Sequence, residues 1–196
     1  MSLRLAPRLA PLALLAASLA LSAPALAADY DIDIKGAHAS IGFRIKHLGY
    51  SWLTGRFDTF SGTFSFDDKA PEKSAVKVEI DTASINSNHA ERDKHLRSPD
   101  FLDVAKFPKA TFVSKLITPK GDGKAAIVGD LTLRGVTKEV TIDAETIGGG
   151  ADPWGGTRQG FSGSTTLTLA DFGVPKDLGP ASKTVELMLN VEGVRK

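Results

Sequence analysis

The sequence predicts an all-β domain: an antiparallel barrel of eight strands with one short helical insertion. Two observations predict it. Apolar residues alternate with polar or small ones in successive short runs, the period of a half-buried strand, and turn-forming residues separate the runs at hairpin spacing. A single stretch breaks the alternation in a way that reads as helix.

The alternation starts at Ile32 and continues through Ile41, Phe43 and Ile45, then Phe64 and Phe66, then Val76, Val78 and Ile80. It returns at Phe112, Ser114 and Leu116, and again at Ile127, Gly129, Leu131 and Leu133. Val140, Ile142 and Ala144 follow, then Phe161, Gly163, Thr165, Leu167 and Leu169, and last Val185, Leu187, Leu189 and Val191. Turns are expected at Asp67 to Pro71, at Pro119 to Gly123, at Arg134-Gly135 and at Gly148-Gly149-Gly150. Between the third and fourth runs, Asn88 to Arg97 lacks alternation and opens with Asn88 three residues before Glu91, a capping-box spacing. Ser98-Pro99 then reads as an N-cap and first helical residue, opening a second helical turn through Leu102. An even series of short strands with tight hairpins favours closure into a barrel over a sandwich.

Residues 1–27 stand apart. Arg4 and Arg8 precede an Ala/Leu-rich run from Leu9 to Leu21, and Ala25-Leu26-Ala27 has the small-x-small pattern of a signal-peptidase site. The apolar run is too short for a spanning helix, which needs about 20 residues, so this is read as a cleaved export leader, with residues 28–196 as one domain. No Cys follows the cleavage site to carry a lipid anchor. The expected location is the bacterial periplasm, and no stable membrane insertion is expected.

Composition excludes several function classes. The whole chain has 24 basic and 23 acidic residues; removing the leader removes two arginines and no acid, so the domain is slightly acidic, with no basic excess to hold nucleic acid. The absence of Cys rules out disulfides, thiol nucleophiles and cysteine metal sites. Gly160-Phe161-Ser162-Gly163-Ser164 lacks the final glycine of a nucleophile elbow and enters a strand rather than a helix. Neither a P-loop, an HExxH helix nor a dinucleotide fingerprint is present. No cofactor and no metal site is expected.

An eight-stranded barrel either fills its interior with side chains or holds one small ligand. Strands of 8 to 10 residues tilted by about 40° leave an axial space of roughly 20 to 26 Å, suited to a chain-like apolar ligand. The inward set by alternation is Phe43, Ile45, Phe64, Phe66, Val78, Ile80, Phe112, Leu131, Leu133, Ile142, Phe161, Leu187 and Leu189. Small or polar residues of the same parity, Ser114, Gly129, Gly163 and Thr165, leave unfilled volume unless neighbouring Phe rings cover them.

Nine runs in order carry a resemblance over nearly the whole domain. They are His38-Ala39-Ser40-Ile41-Gly42-Phe43, His47-Leu48-Gly49, Gly55-Arg56-Phe57, Arg92-Asp93-Lys94-His95-Leu96, Ser98-Pro99-Asp100-Phe101-Leu102-Asp103, Phe107-Pro108-Lys109-Ala110-Thr111-Phe112, Gly129 to Thr137, Gly160-Phe161 and Asp171-Phe172-Gly173. Together they resemble the YceI-like family of periplasmic lipocalin-like proteins. The resemblance implies a lipocalin-like barrel whose elongated cavity binds a polyisoprenoid or similar long-chain amphiphile, such as an isoprenoid quinone precursor, and it does not imply an enzyme. Expected partners are that amphiphile, a membrane that transiently donates or accepts it, and a second copy of the chain in a homodimer. Two competing readings stay open: an enzyme acting on a lipid-like substrate, and a filled barrel serving as a stress-related interaction module.

The polar candidates for the cavity mouth are His47, Arg92, Asp93, His95, Trp154 and Arg158. His47 shares the inward parity of Ile45. On the short helix, residues three or four apart are neighbours, so His89 can meet Asp93, and Arg92 can meet His95. An Arg among them opposes a metal cation, and the alternative role for Arg92 and Asp93 is to tie the helix to the barrel rim. Trp154 either covers the mouth or caps the core edge.

Overall fold

The computed structural model describes residues 27–196; the leader expected over residues 1–27 lies outside them save for Ala27. Among the described residues one continuous antiparallel sheet runs β1 (Ala28–Ile32), β2 (Ser40–His47), β3 (Ser51–Phe57), β4 (Phe60–Phe66), β5 (Ala75–Asp81), β6 (Ile85–Asn86), β7 (Lys109–Gly121), β8 (Lys124–Leu133), β9 (Val136–Ala151), β10 (Thr157–Thr168) and β11 (Thr184–Arg195). A seven-residue helix, α1 (Ala90–Leu96), sits between β6 and β7. These segments make eight staves. β1 and β2 both pair with β11, β4 and β3 pair with β1 and β2 in turn, and β5 and β6 pair with β4 and β3. Each of those couples is therefore one stave bent in the middle. The β11–β1 and β11–β2 pairings close the barrel, so no long edge is left along that stave.

Alternation holds on both faces. Outward positions such as Lys77, Glu79, Asp143 and Glu145 are exposed and polar, while inward positions are apolar. That dresses the outer wall for water, the reverse of a lipid-facing barrel. Tight turns form where Asp67 accepts from the Lys69 and Ala70 N–H groups, at Gly121-Asp122-Gly123, and at Arg134-Gly135, where φ values of 52° and 74° make a two-residue hairpin.

Several local expectations need correction. Gly148-Gly149-Gly150 is not a turn but lies within β9; the chain reverses at 152–156. The cause is Gln159 on the neighbouring strand: its buried amide donates to Gly148 O at 3.0 Å, and a Cβ on Gly149 would stand 2.1 Å from Gln159 Oε1. In β7 the register shifts between Ser114 and Leu116, so Leu116 points out and is exposed while Ile117 turns in and is buried; a bulge reverses parity. The helix is capped by His89, whose Nδ1 accepts from Arg92 N, rather than by Asn88, which takes a left-handed φ of 61° in the turn before it. Ser98 to Leu102 forms turns with i→i+3 bonds and not a second helix.

Candidate functional site

The interior has two apolar clusters. Tyr30, Ile32, Ile41, Phe60, Phe64, Ile80 and Ala110 centre the first. Phe112, Leu131, Ile142, Leu167 and Phe172 centre the second. Val76, Leu133 and Leu189 touch both clusters, yet each is only half-buried.

The thirteen inward candidates all face the interior, and they divide by burial. Phe43, Phe64, Ile80, Phe112, Leu131 and Ile142 are buried. Ile45, Phe66, Val78, Leu133, Phe161, Leu187 and Leu189 are half-buried. Some expected volume is filled from next door: a Cβ on Gly129 would lie 2.5 Å from Phe112 Cζ, and one on Gly55 lies 2.3 Å from Phe43 Cζ. Phe112 and Phe43 thus cover neighbouring glycines, and Gly129 leaves no void. At Gly163 the nearest atom is Ile142 Cγ2 at 3.0 Å, with Leu189 Cδ1 at 3.7 Å, so no ring lies over it. An aromatic group belongs to the first cluster: Tyr30 stacks on Phe64 at 4.8 Å, and Phe161 meets Phe64 and Phe66 edge-on at 5.4 and 5.1 Å.

The six polar candidates do not form one mouth. The connections place α1 and the β2–β3 hairpin at one end of the barrel and the β9–β10 turn at the other. His47 pairs with Ser51 near the hairpin tip and is exposed. Arg92 and Asp93 both engage Ser87: Arg92 donates to Ser87 Oγ at 2.7 Å and Ser87 O at 2.6 Å, and Asp93 accepts from Ser87 N at 2.8 Å and from its hydroxyl. Burial pushes the Asp93 carboxyl up, but the Ser87 bonds and the charges of Arg97 and Arg92 outweigh it and hold it below the ordinary range. The two residues fasten the helix to the rim. His95 pairs with exposed Asp100 at 2.8 Å rather than with Arg92.

At the opposite end Trp154 is 78% exposed. It flanks a surface hollow of about 470 Å³ with the glycines of β9. Arg158 alternates with inward Gln159, so it lies on the outer wall, a parity already legible from Phe161. It binds Asp33 Oδ2 at 2.8 Å, Asp152 Oδ2 at 3.0 Å and Glu192 Oε1 at 2.5 Å. Bonds from His38 and Arg158 hold the Asp33 carboxyl well below its usual range, and the two acids Asp33 and Glu192 hold the guanidinium proton more firmly still. Asp33, His38 and Glu192 bring ligand atoms within 4.8 Å of one another, but the guanidinium already supplies the positive charge there.

Sequence reasoning missed Arg134 and Phe172. Arg134 donates to Phe101 O at 2.7 Å, Gly173 O at 2.6 Å and Pro99 O at 2.8 Å. It thereby joins three of the runs on which the resemblance rests, and their co-occurrence was the available signal.

Comparison with known proteins agrees with this architecture. A family described as YceI-like domain matches residues 30–193. A UPF0312 protein of Pseudomonas aeruginosa (strain LESB58) is 63% identical over 172 residues, covering 88% of this chain and 90% of its own. A YceI protein of Campylobacter jejuni superposes with a TM-score of 0.71 at 32% identity, over 78% of this chain and 90% of that one. A domain from Saccharophagus degradans, described as a polyisoprenoid binding domain, shares the fold with a TM-score of 0.61 at 16% identity, over 88% of this chain and 100% of its own.

Proposed function

We propose that this chain, which belongs to the YceI-like family, is a non-catalytic binding protein that encloses the tail of a long-chain amphiphile inside its barrel. The carrying observation is that inward apolar residues Val76, Leu133 and Leu189 pack against both buried clusters while each stays half-buried. Each buried methylene contributes about 0.8 kcal/mol, so roughly ten supply about 8 kcal/mol before ordering costs. Enclosure alone is then a sufficient binding mechanism, with no charged anchor inside. The description of the Saccharophagus degradans domain supports a polyisoprenoid as the tail class. The Arg-Ala-Leu leader with its small-x-small end supports the periplasm as the place of action, where the protein carries or sequesters the lipid between membranes. The acids, histidines and arginines discussed above are engaged in structural bonds or stand outside the wall, which supports binding over catalysis.

Organic extraction of the protein purified from the periplasm, followed by mass spectrometry, tests this reading. One prenyl lipid per chain is the expected result. A protein that yields no lipid and takes up no apolar dye is a filled barrel, and that result overturns the proposal.

A further inference from the structure

The wall of the barrel is split on one side. β9 and β10 pair from Ala151↔Thr157 as far as Asp143↔Ser164 and stop there, although β9 begins at Val136 and β10 ends at Thr168. On their far sides both strands stay paired to those ends, β9 with β8 to Val136↔Leu133 and β10 with β11 to Thr168↔Thr184. The two parted edges bound a cleft of about 580 Å³, walled by Lys138, Val140 and Thr141 on one side and Thr166 and Leu167 on the other. Phe172 closes it from within. That ring is 2% exposed and packs in the same cluster as Phe112, Leu131 and Ile142, so it occupies the lumen side of the opening. It rides on a 3₁₀ turn (Leu169–Phe172) that ends at Gly173 in a left-handed conformation, φ 67°. Arg134, from the β8–β9 hairpin, holds that turn by the carbonyl of Gly173.

Both ends of the barrel carry groups in the way of a straight path. The Tyr30, Phe64, Phe66 and Phe161 rings pack against one another toward one, Tyr30 and Phe64 buried and Phe66 and Phe161 half-buried. At the other, the segment between α1 and β7 is cross-braced, with Arg97 bonded to Ala83 O and Ile85 O, Thr82 to Phe107 O, and Arg134 to Pro99 O and Phe101 O.

We propose that the β9–β10 cleft is a lateral portal through which the amphiphile's tail slides sideways into the lumen, with Phe172 as the gate and Arg134 as its latch. This rests on the reading that the lumen holds an apolar tail. A side opening lets a polar head stay in water while the chain passes, so the head is never dragged through an apolar bore. The rim suits that: Lys138 and Asp171 line the cleft without ion-pair partners among the described residues, whereas Glu139, Asp143 and Glu186 are already paired with Lys115, Lys120 and Arg44.

A disulfide can staple the gate. A Cβ on residue 173 stands 3.8 Å from Val136 Cγ2, so side chains at the two positions touch, and the chain has no other Cys. The double variant Val136→Cys/Gly173→Cys and, separately, Arg134→Ala are stripped of lipid, checked for fold by circular dichroism, and mixed with cis-parinaric acid in a stopped-flow fluorimeter. The oxidised staple is expected to load at least about tenfold more slowly than the same protein reduced, as a locked lid does, and Arg134→Ala to load and release faster than wild type. Should the left-handed backbone at 173 prevent the staple, the Arg134→Ala rates carry the test. Loading at one common rate in every form overturns the portal and leaves lumen binding standing. No uptake by the wild type overturns lumen binding, and the portal with it.

Discussion

Asp93 shows how much one side chain holds at the helix end. Its buried carboxylate accepts both the Ser87 N–H and the Ser87 hydroxyl, and Ser87 in turn receives the Arg92 guanidinium. Asp93→Ala leaves those donors without an acceptor, so a loss of roughly 1–3 kcal/mol is expected in urea unfolding, with Asp93→Asn losing less. Leu189 has a different role. It bridges the two interior clusters while half-buried, so Leu189→Gln puts an amide into the proposed tail path. The expected result is a strong drop in recovered lipid at a modest cost in melting temperature, read by extraction and by thermal unfolding of the same sample. Unchanged lipid content removes Leu189 from the lining. Most inward residues were legible from alternation because the side-chain period of a strand is a local property. Arg134 was not, because its three acceptors come from segments distant in sequence.

The elements show where local patterning stops being sufficient. Alternation put a run in every stave but left β3 and β6 unread, and it misplaced Leu116, because a bulge depends on the register with β8 and leaves no mark in β7 itself. The triple glycine of β9 read as a turn for the same reason: its cause is Gln159, one strand away. Gly149→Ala tests that cause. The new Cβ meets Gln159 Oε1 at 2.1 Å and Arg158 O at 2.9 Å, and relieving it means losing the Gln159 bonds to Gly148 O and Gly160 O. A destabilisation of about 1–3 kcal/mol is expected, and it should shrink in a Gln159→Ala background, a coupling that a double-mutant cycle measures. The split between β9 and β10 escaped the sequence altogether, since both strands keep their alternation through the unpaired stretch. A β-strand pattern says that a residue has two faces and says nothing of whether its edge has a neighbour.

At the scale of the whole molecule, carboxylates fasten the bends and caps that alternation cannot hold. Asp33 holds the bend between β1 and β2, Asp58 the bend between β3 and β4, Asp93 and Asp100 the helical segment, and Asp152 the β9–β10 turn. All five are held below the ordinary carboxylate range. His38 is the largest cause at Asp33, Arg56 at Asp58, His95 at Asp100 and the Gly156 N–H at Asp152, while at Asp93 the Ser87 bonds overcome burial. The sign follows from linkage. Below the ordinary value of about 3.9 the unfolded chain takes up protons that the native carboxylates refuse, so native stability falls as pH falls. Above that value both states are ionised and these groups add no slope. Urea unfolding is therefore expected to give a flat stability contribution from these groups between pH 7 and 5 and a steep decline below pH 4. Asp33→Asn should flatten that decline, because the group most strongly held below its usual range no longer titrates. An unaltered acid limb in Asp33→Asn would mean that the Arg158 cluster on the outer wall does not hold the bend, and that the closure of β11 onto β1 and β2 stands on backbone pairing alone.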